Sequence, residues 1–330
     1  MIRLFISPFD DPRLNLALED SFLEHLTGKD QILFLYVNRP SVVMGRFQNP
    51  WLECRPAELG EILLVRRQSG GGTVFHDPGN LNFSLITHIE QYDRIRNLEL
   101  ICRIMEHCGV DLNINDRHDL TVRLDGMNYK VSGSAFRHKK DRAFHHGTLL
   151  ISSDREILRR ALTPPEDREF LHTAGTASHR SPVINLNRLN PDLTVSSALE
   201  EFRRWFRTHP GIEEAPLSES RWQERAAAED VRTERERLCS SDWIFGKTPH
   251  FRQLLPVLPP GIKAPPVIDV KKGVITEAPE ELSFLTGLPY GRPETAALLR
   301  ERLTSQTGPG GSGFERPENE FFSRLVSLIG

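Results

Sequence analysis

The order of its apolar runs constrains the fold of this chain more than any other feature of the sequence. Short runs bounded by polar or turn residues predict buried strands at 32–37, 41–44 and 62–65. Helical spacing of apolar residues predicts helices over 15–26 and 97–108. Further strands are expected at 81–86, at 122–132 with a turn at Asp125 and Gly126, and at 143–152. Further helices are expected at 156–162, 196–206 and 221–238. Strands and helices therefore follow one another without regular alternation, which predicts an α+β fold of mixed sheets with flanking helices rather than a doubly wound sheet.

The composition argues against several classes of protein. Of the 330 residues, 38% are hydrophobic and 26% charged, and the net charge is -3, which is typical of a globular protein that does not coat nucleic acid. Residues 1–11 lack the apolar core of a signal peptide and the acid-free character of a transit peptide. No run approaches the ~18 apolar residues that span a bilayer. We therefore expect a cytoplasmic monomer with neither a nucleic-acid nor a membrane partner.

The sequence changes in character towards its C-terminal end. Residues 243–249 precede a stretch at 256–266 that is dense in proline. A hairpin is expected at 267–276 and helices at 292–303 and 318–328. These features predict a large domain over 1–246 and a small α/β accessory domain over 247–330, joined by a hinge linker.

A glycine-rich segment carries the strongest chemical signal. Gly70, Gly71 and Gly72 lie between two apolar runs, where glycine allows positive φ and a close approach of backbone N–H groups to an anion. Arg67 adds a charge suited to a phosphate or a carboxylate. The spacing matches neither a P-loop nor a dinucleotide-binding fold, and a triple glycine by itself can also be a flexible turn.

A lysine among small residues forms a second cluster. On a strand, Lys130 would point to the same side as Ser132 and Ser134, where it could neutralise charge developing on an acyl phosphate. A lone lysine on a strand is otherwise simply exposed. The adjacent His145 and His146 would face opposite sides of their strand, so we do not expect them to ligate one metal ion.

These segments resemble the lipoate–protein ligase A and lipoyltransferase family. The matching segments occur in the family's order and cover essentially the whole chain: 45–51, 66–77, 79–80, 119–120, 130–135, 145–150, 240–249 and 269–273. The resemblance implies a catalytic domain of the biotin/lipoate protein ligase type, followed by an accessory domain that moves during the reaction. At one position the chain departs from the family, because Gln68 replaces a common arginine and lowers the charge of the loop.

The resemblance also implies an activity. A lipoate–protein ligase activates lipoate with ATP and Mg²⁺ to lipoyl-AMP and transfers the lipoyl group to a lysine of a carrier-protein lipoyl domain. The carriers would be 2-oxoacid dehydrogenase acyltransferase subunits, the glycine-cleavage H protein or another lipoyl-binding protein. This chemistry requires no protein nucleophile, which suits a sequence without an evident Ser/His/Asp or Cys/His set.

The resemblance assigns roles to particular residues of this chain. Lys130 would contact the lipoyl carbonyl and the α-phosphate, and residues 175–183 would form an adenylate-binding loop. The implied ligand-binding residues are Arg67, Ser69, Gly70, Gly71, Gly72, Thr73, Val74, Phe75, His76, Asn80, Asp119, Ser132, Gly133, His146, Gly147, Thr148 and Arg180. No metal-ligating residue is implied.

Three other activities are weighed against the ligase. A lipoyltransferase that uses only preformed lipoyl-AMP or a lipoylated carrier would share these motifs. An octanoyltransferase would need an acyl-cysteine, but Cys54, Cys102, Cys108 and Cys239 all lie outside the glycine and lysine clusters. A non-catalytic lipoate- or nucleotide-binding protein would be expected to have lost Lys130 or the glycine run.

Overall fold

The structure is a computed structural model that describes residues 1–209, 212–214, 216–255 and 267–306. The strands are β1 (Ile2–Ile6), β2 (Gln31–Val37), β3 (Ser41–Met44), β4 (Leu63–Arg66), β5 (Val74–His76), β6 (Asn80–His88), β7 (Asn113–Ile114), β8 (Leu120–Leu124), β9 (Met127–Ser132), β10 (Ser134–Lys139), β11 (Arg142–Leu150), β12 (Leu171–Thr173), β13 (Ile212–Glu214), β14 (Phe251–Leu254), β15 (Val267–Lys271) and β16 (Val274–Glu277). The helices are α1 (Pro12–His25), α2 (Pro50–Glu53), α3 (Arg94–His107), α4 (Arg155–Ala161), α5 (Val195–Thr208), α6 (Glu219–Ala227), α7 (Glu229–Cys239), α8 (Ser241–Ile244) and α9 (Pro293–Gln306).

The first of two compact units comprises Met1–Arg46, Val65–Arg160 and Ser178–Ser240. Its main sheet has the strand order β10-β11-β6-β2-β1-β13, in which β1 is parallel to β2 and to β13 whereas the other pairs are antiparallel. This mixed pairing confirms the predicted α+β class. The predicted strands at 41–44 and 81–86 are confirmed as β3 and β6.

One face of the main sheet packs on α3 and α5. The buried face of α3 carries Leu98, Ile101, Ile104 and Met105, at the helical spacing the sequence predicts. Burying one such side chain fully contributes about 1.5–3 kcal/mol to the free energy of folding. Asp93 caps the helix by accepting from the N–H of the second and third residues.

The other side of the sheet contacts α1, whose buried residues are partly polar. Asp11 caps this helix, and Pro12 is its first residue, where a missing N–H costs nothing. Asn15 and Glu19 are both buried on α1, together with the apolar Leu16. Polar groups are rarely buried without partners, so α1 is expected to carry a site as well as part of the core.

The second unit comprises Phe47–Leu64, Ala161–Ala177 and the chain from Ser241 onwards. Its antiparallel sheet has the order β12-β14-β15-β16. Trp51 packs on the rings of Phe251 and Tyr290 at the centre of its core. The predicted linker at 256–266 and the predicted helix at 318–328 lie outside the described residues. The division into domains 1–246 and 247–330 stays a prediction.

One predicted helix is wrong in detail, and one predicted turn is confirmed. The region expected to be one helix over 221–238 is two helices, because Ala228 has an extended backbone (φ -59°, ψ 143°) that ends α6 and begins α7. The turn predicted at Asp125 and Gly126 within 122–132 is confirmed, because this region is a hairpin of β8 and β9 with positive φ at both residues. No helix in the described part of the chain is long and apolar enough to cross a bilayer.

Candidate active site

A cavity of about 210 Å³ lies within the first unit. Its walls come from α1, β2, the glycine-rich segment and the strands β5, β6, β9, β10 and β11. The ligand-binding residues implied by the resemblance that line it are Arg67, Gly71, Gly72, Thr73, Val74, His76, Asp119, Lys130, Gly133, His146, Gly147 and Thr148. The fold therefore brings together segments that are far apart in the sequence, from Leu16 on α1 to His179.

Arg67 organises the glycine-rich segment. Its Nε donates to the Ser69 hydroxyl at 2.8 Å and its Nη1 to the Val43 carbonyl at 2.9 Å, while its Nη2 donates to the carbonyls of Gly70 and Gly72 at 2.5 and 2.8 Å. The Arg67 guanidinium thus lies at the cavity, as predicted, and its hydrogen bonds hold the backbone of the glycine-rich segment in place.

Glycine is required at two positions beside this loop. Gly71 has φ +82°, a conformation that side chains rarely adopt. A Cβ at Gly45 would lie 2.1 Å from the Gly71 carbonyl oxygen, so only glycine allows these two backbone segments to approach. The Thr73 N–H at the end of the loop donates to the Ser178 hydroxyl at 2.8 Å.

The lysine cluster consists of Lys130, Asp119, Gly133 and Thr148. Lys130 Nζ lies 2.9 Å from Asp119 Oδ1, and the lysine side chain is one quarter exposed. The Lys130 backbone is fixed on both sides, because its N–H donates to the Pro182 carbonyl and its carbonyl accepts from the residue 184 N–H. Gly133 donates its N–H to the Thr148 hydroxyl at 3.1 Å. The ammonium group therefore enters the cavity from a fixed position.

The histidine cluster consists of His146, Glu19, Ser69, His76 and Asn38. His146 Nδ1 lies 2.9 Å from the Glu19 carboxylate, and its Nε2 lies 2.8 Å from the Ser69 hydroxyl. Since the carboxylate accepts from Nδ1–H, Nε2 is left to accept from the hydroxyl. All three side chains are buried.

His76 is held by a chain of amide groups. Its Nδ1 accepts from the Asn38 amide at 2.9 Å, and the Asn38 carbonyl oxygen accepts from the Asn15 amide at 2.8 Å. This order leaves the proton of neutral His76 on Nε2, an atom with no hydrogen-bond partner among the described residues. Burial, reinforced by the charge of Arg67, lowers the pKa of His76 to about 3. His76 is therefore a neutral donor in the cavity wall.

His145 lies on the opposite face of β11 from His146, as strand alternation predicts. It is fully buried, and neither ring nitrogen has a hydrogen-bond partner within the described ranges. Burial lowers the pKa of His145 to about 3. The described residues contain no group of three His, Cys, Asp or Glu side chains that could hold a metal ion.

Several implied ligand-binding residues do not line the cavity. They are Ser69, Gly70, Phe75, Asn80, Ser132 and Arg180. Ser69 supports His146, and the Asn80 amide donates to the Asn82 carbonyl oxygen at 3.1 Å. These two residues support neighbours at the cavity, and the roles that the resemblance gives to the whole set stay predictions.

The sequence analysis missed other residues at this site. Leu16, Tyr36, Val43 and Ala135 give the cavity an apolar wall, and Glu19 supports His146. The sequence does carry a signal for Glu19, because it is an acidic residue on the predicted buried side of α1.

The comparisons with known proteins agree with one another. The family model described as "Lipoyl protein ligase A/B catalytic domain" matches residues 11–207, more than half of the chain. The chain is 38% identical to lipoate-protein ligase A of Psychrobacter cryohalolentis over 256 residues, which are 76% of this chain and 74% of that protein.

Solved structures share the fold. P. falciparum LipL1 in complex with lipoate has a TM-score of 0.60 and 22% identity, with 99% of each chain covered. The bi-partite lipoate protein ligase of Thermoplasma acidophilum, studied with its E2 lipoyl domain, has a TM-score of 0.59 and 22% identity, covering 74% of this chain and 94% of that one. A lipoate-protein ligase A bound with ATP has a TM-score of 0.55 and 22% identity, covering 73% of this chain and 96% of that one. With its family model, its relative and its fold in agreement, the chain belongs to the lipoyl protein ligase A/B family.

Proposed function

We propose that this protein is a lipoate–protein ligase that converts lipoate and ATP to lipoyl-AMP and then acylates a lysine of a lipoyl-domain carrier. The observation that carries this proposal is the placement of Lys130. Its ammonium group lines the same cavity as an apolar wall and a glycine-rich loop. A cation, an apolar slot and backbone donors are what an acyl phosphate with an aliphatic chain requires.

In the first step, a lipoate carboxylate oxygen attacks the α-phosphorus of ATP. A P–O bond forms, the bond from the α-phosphorus to the bridging oxygen breaks, and pyrophosphate leaves with the electron pair. Lys130 neutralises the charge that develops on the α-phosphate. Asp119 holds the ammonium group in position before the substrates arrive.

In the second step, the neutral amine of the carrier lysine attacks the acyl carbon of the mixed anhydride. The amide bond forms, the bond to the phosphate oxygen breaks, and AMP leaves. The amine loses one proton, which passes to water. The protein supplies position and charge rather than a nucleophile, and the cavity protects the anhydride from water.

The apolar wall would hold the lipoyl chain. Leu16, Tyr36 and Val43 line the cavity together with His76 and His146. Each methylene buried there contributes about 0.8 kcal/mol. Because His76 is neutral and its orientation is fixed, it can donate a hydrogen bond without placing a charge beside the chain.

Mg²⁺ would enter with the nucleotide. A magnesium ion is commonly bound by one or two carboxylates together with substrate phosphates, so a full set of protein ligands is not required. Asp119 is the carboxylate that lines the cavity. The ion would supply further positive charge to the phosphates, and this residue would be its protein ligand.

The remaining parts of the proposal concern the carrier and the wider molecule. The T. acidophilum relative was studied with its E2 lipoyl domain, which supports a lipoyl-domain carrier. The 2-oxoacid dehydrogenase acyltransferase subunits and the glycine-cleavage H protein are the candidates. A monomeric, cytoplasmic enzyme with an accessory domain over 247–330 completes the proposal.

The test is incubation of the purified protein with lipoate, Mg·ATP and candidate apo-carriers. We expect pyrophosphate release and a lipoyl adduct on one carrier lysine by mass spectrometry. A protein that lipoylates the carrier only from supplied lipoyl-AMP is a lipoyltransferase. A protein that binds lipoate and supports neither step is a binding protein, and either outcome contradicts the proposal.

A further inference from the structure

An aromatic surface on the first unit is formed by the exposed Phe136 and His138 and the half-buried Tyr92 and Arg94. The Arg94 guanidinium carbon lies 3.9 Å from the centroid of the Phe136 ring. The His138 ring is 5.5 Å from Phe136 and 5.0 Å from Tyr92, centroid to centroid. Phe136 is 41% exposed although it is a large apolar side chain. The four side chains therefore form one contiguous patch.

Further apolar residues are exposed in the segment before α3 and in its first turn. Ile89 and Ile95 are both exposed, so three of the seven exposed large hydrophobic residues in the described part of the chain lie in this region. The Ile89 N–H donates to the Asp141 carbonyl at 2.7 Å, which fixes the segment before α3 to the turn between β10 and β11. Contiguous apolar patches on a protein surface mark interaction sites, and aromatic residues and arginine are enriched in interfaces.

The aromatic surface and the cavity meet at the start of β10, where Ala135 pairs with His146 on the cavity face and Phe136 pairs with His145 on the other face. Ser134 and Ala135, at the start of this strand, line the cavity. Ser134, Phe136 and His138 alternate along the strand and share one face of it. At ~3.3 Å per residue, Phe136 lies roughly 7 Å along the strand from Ser134. Among the described strands, β10 is at the edge of its sheet, so this border of the cavity is open to an approaching protein.

The proposed reaction determines what can bind beside the cavity. The acceptor is a lysine on a folded protein, and its side chain has only four methylenes with which to reach the acyl carbon near Lys130. The body of the carrier must therefore rest on the surface that borders the cavity. A partner suited to this border would insert an apolar side chain beside Phe136 and place a carboxylate near Arg94.

We propose that the aromatic surface is the docking site of the lipoyl-domain carrier, which presents an apolar residue and a carboxylate beside its target lysine. This inference rests on the proposed function. It assigns the step of carrier recognition to residues that touch neither lipoate nor ATP. Phe136 and Arg94 are thus specificity residues for the carrier.

The experiment compares Phe136→Ser and Arg94→Ala with the wild-type protein in two reactions. The first is lipoyl transfer to the apo-carrier, and the second is formation of lipoyl hydroxamate when hydroxylamine replaces the carrier. We expect the KM for the carrier to rise about tenfold in each variant, as for an interface anchor. Hydroxamate formation and pyrophosphate release should stay at the wild-type rate, because hydroxylamine needs no docking surface.

Met127→Ser is the matched control, because Met127 is 54% exposed and lies on the β8–β9 hairpin, away from this surface. Its KM for the carrier should equal that of the wild type. Phe136→Leu keeps an apolar side chain, so its KM for the carrier should be close to that of the wild type. This variant keeps the inference testable if Phe136→Ser does not fold.

Three outcomes would overturn the inference: an unchanged KM for the carrier in both variants, an equal loss in hydroxamate formation, or the same loss in Met127→Ser. Failure of the proposed function is a different result. In that case the wild-type protein itself forms neither hydroxamate nor a lipoylated carrier.

Discussion

The histidine cluster and the lysine cluster line the same cavity but hold their polar groups differently. His76 and His146 are buried and fixed by hydrogen bonds to neighbouring side chains. Lys130 is partly exposed and is held by one ion pair with Asp119. Partly exposed ion pairs contribute little to stability, whereas a buried polar group that loses its partner costs about 1–3 kcal/mol. We infer that the histidine cluster stabilises the site and the lysine cluster carries its chemistry.

The contrast also explains how a ligand could bind. An arriving phosphate can replace Asp119 as the partner of Lys130, since one charge exchanges for another of the same sign. The buried histidines have no such exchange available, and a ligand must fit the donors and acceptors they present. The lysine cluster can therefore exchange its own carboxylate for a phosphate of the ligand, whereas the histidine cluster selects ligands that match its donors and acceptors.

The largest expected effect is that of Lys130→Ala on adenylate formation. Loss of a charge that stabilises the transition state can cost about 3–4 kcal/mol, so pyrophosphate release should fall by about 10²–10³-fold. The fold should be retained, because this side chain is partly exposed and outside the apolar core. The measurements are pyrophosphate release and urea denaturation of the same preparation.

Lys29→Ala is the control for removal of one positive charge, since Lys29 is exposed on the loop before β2. It should leave pyrophosphate release unchanged. If Lys130→Ala adenylates lipoate normally, the lysine cluster does not carry the chemistry. If the variant is unfolded, Lys130 is needed for stability, and the inferred difference between the two clusters is wrong.

The next effect concerns stability, and it comes from Asn38 in the histidine cluster. In Asn38→Leu, the buried His76 Nδ1 loses its partner, and the Asn15 amide keeps only its hydrogen bond to the Phe9 carbonyl. We expect the free energy of unfolding to fall by about 1–3 kcal/mol in urea denaturation. Asn128→Leu, at an exposed position on β9, should have little effect. An equally stable Asn38→Leu protein would show that the amide chain is not a structural support.

Local patterns were enough to predict part of this molecule. Apolar runs and helical spacing predict β6 and α3, because each depends on a period within one segment. The glycine run and Lys130 are also visible in the sequence, since each motif is contained in a few residues. Both lie at the cavity, as expected.

The partners of these motifs could not be predicted in the same way. Glu19 supports His146 from 127 positions away, and Asn38 fixes His76 across 38 positions. Such pairs depend on how α1 and the turn after β2 pack against the rest of the unit. The break at Ala228 depends likewise on tertiary contacts, because Asp230 on α7 contacts the hydroxyl of Ser21 on α1. Periodicity within one segment contains no information about these contacts.

The smallest effect is the dependence of stability on pH, and it tests whether His76 is neutral in the folded protein. Burial lowers the pKa of His76 to about 3, whereas the unfolded chain titrates near the ordinary value of 6.5. Below pH 6.5 the unfolded state therefore binds a proton on His76 that the folded state does not bind. The stability contributed by neutral His76 is complete above that pH and is lost as the pH falls from 6.5 towards 3. Between pH 7 and 5.5 the loss should be about 1 kcal/mol.

His76→Gln removes this titration, so the free energy of unfolding should depend less steeply on pH in the variant, whatever its stability at pH 7. His145→Gln should reduce the slope by a similar amount, because burial lowers the pKa of His145 to about 3 as well. His145 lies on the other face of β11, so the two changes should add in the double variant. Urea denaturation at several pH values between 7 and 5 gives the slopes. A His76→Gln slope parallel to that of the wild-type protein would mean that the pKa of His76 is the same in the folded and unfolded states, which would contradict a ring that burial keeps neutral.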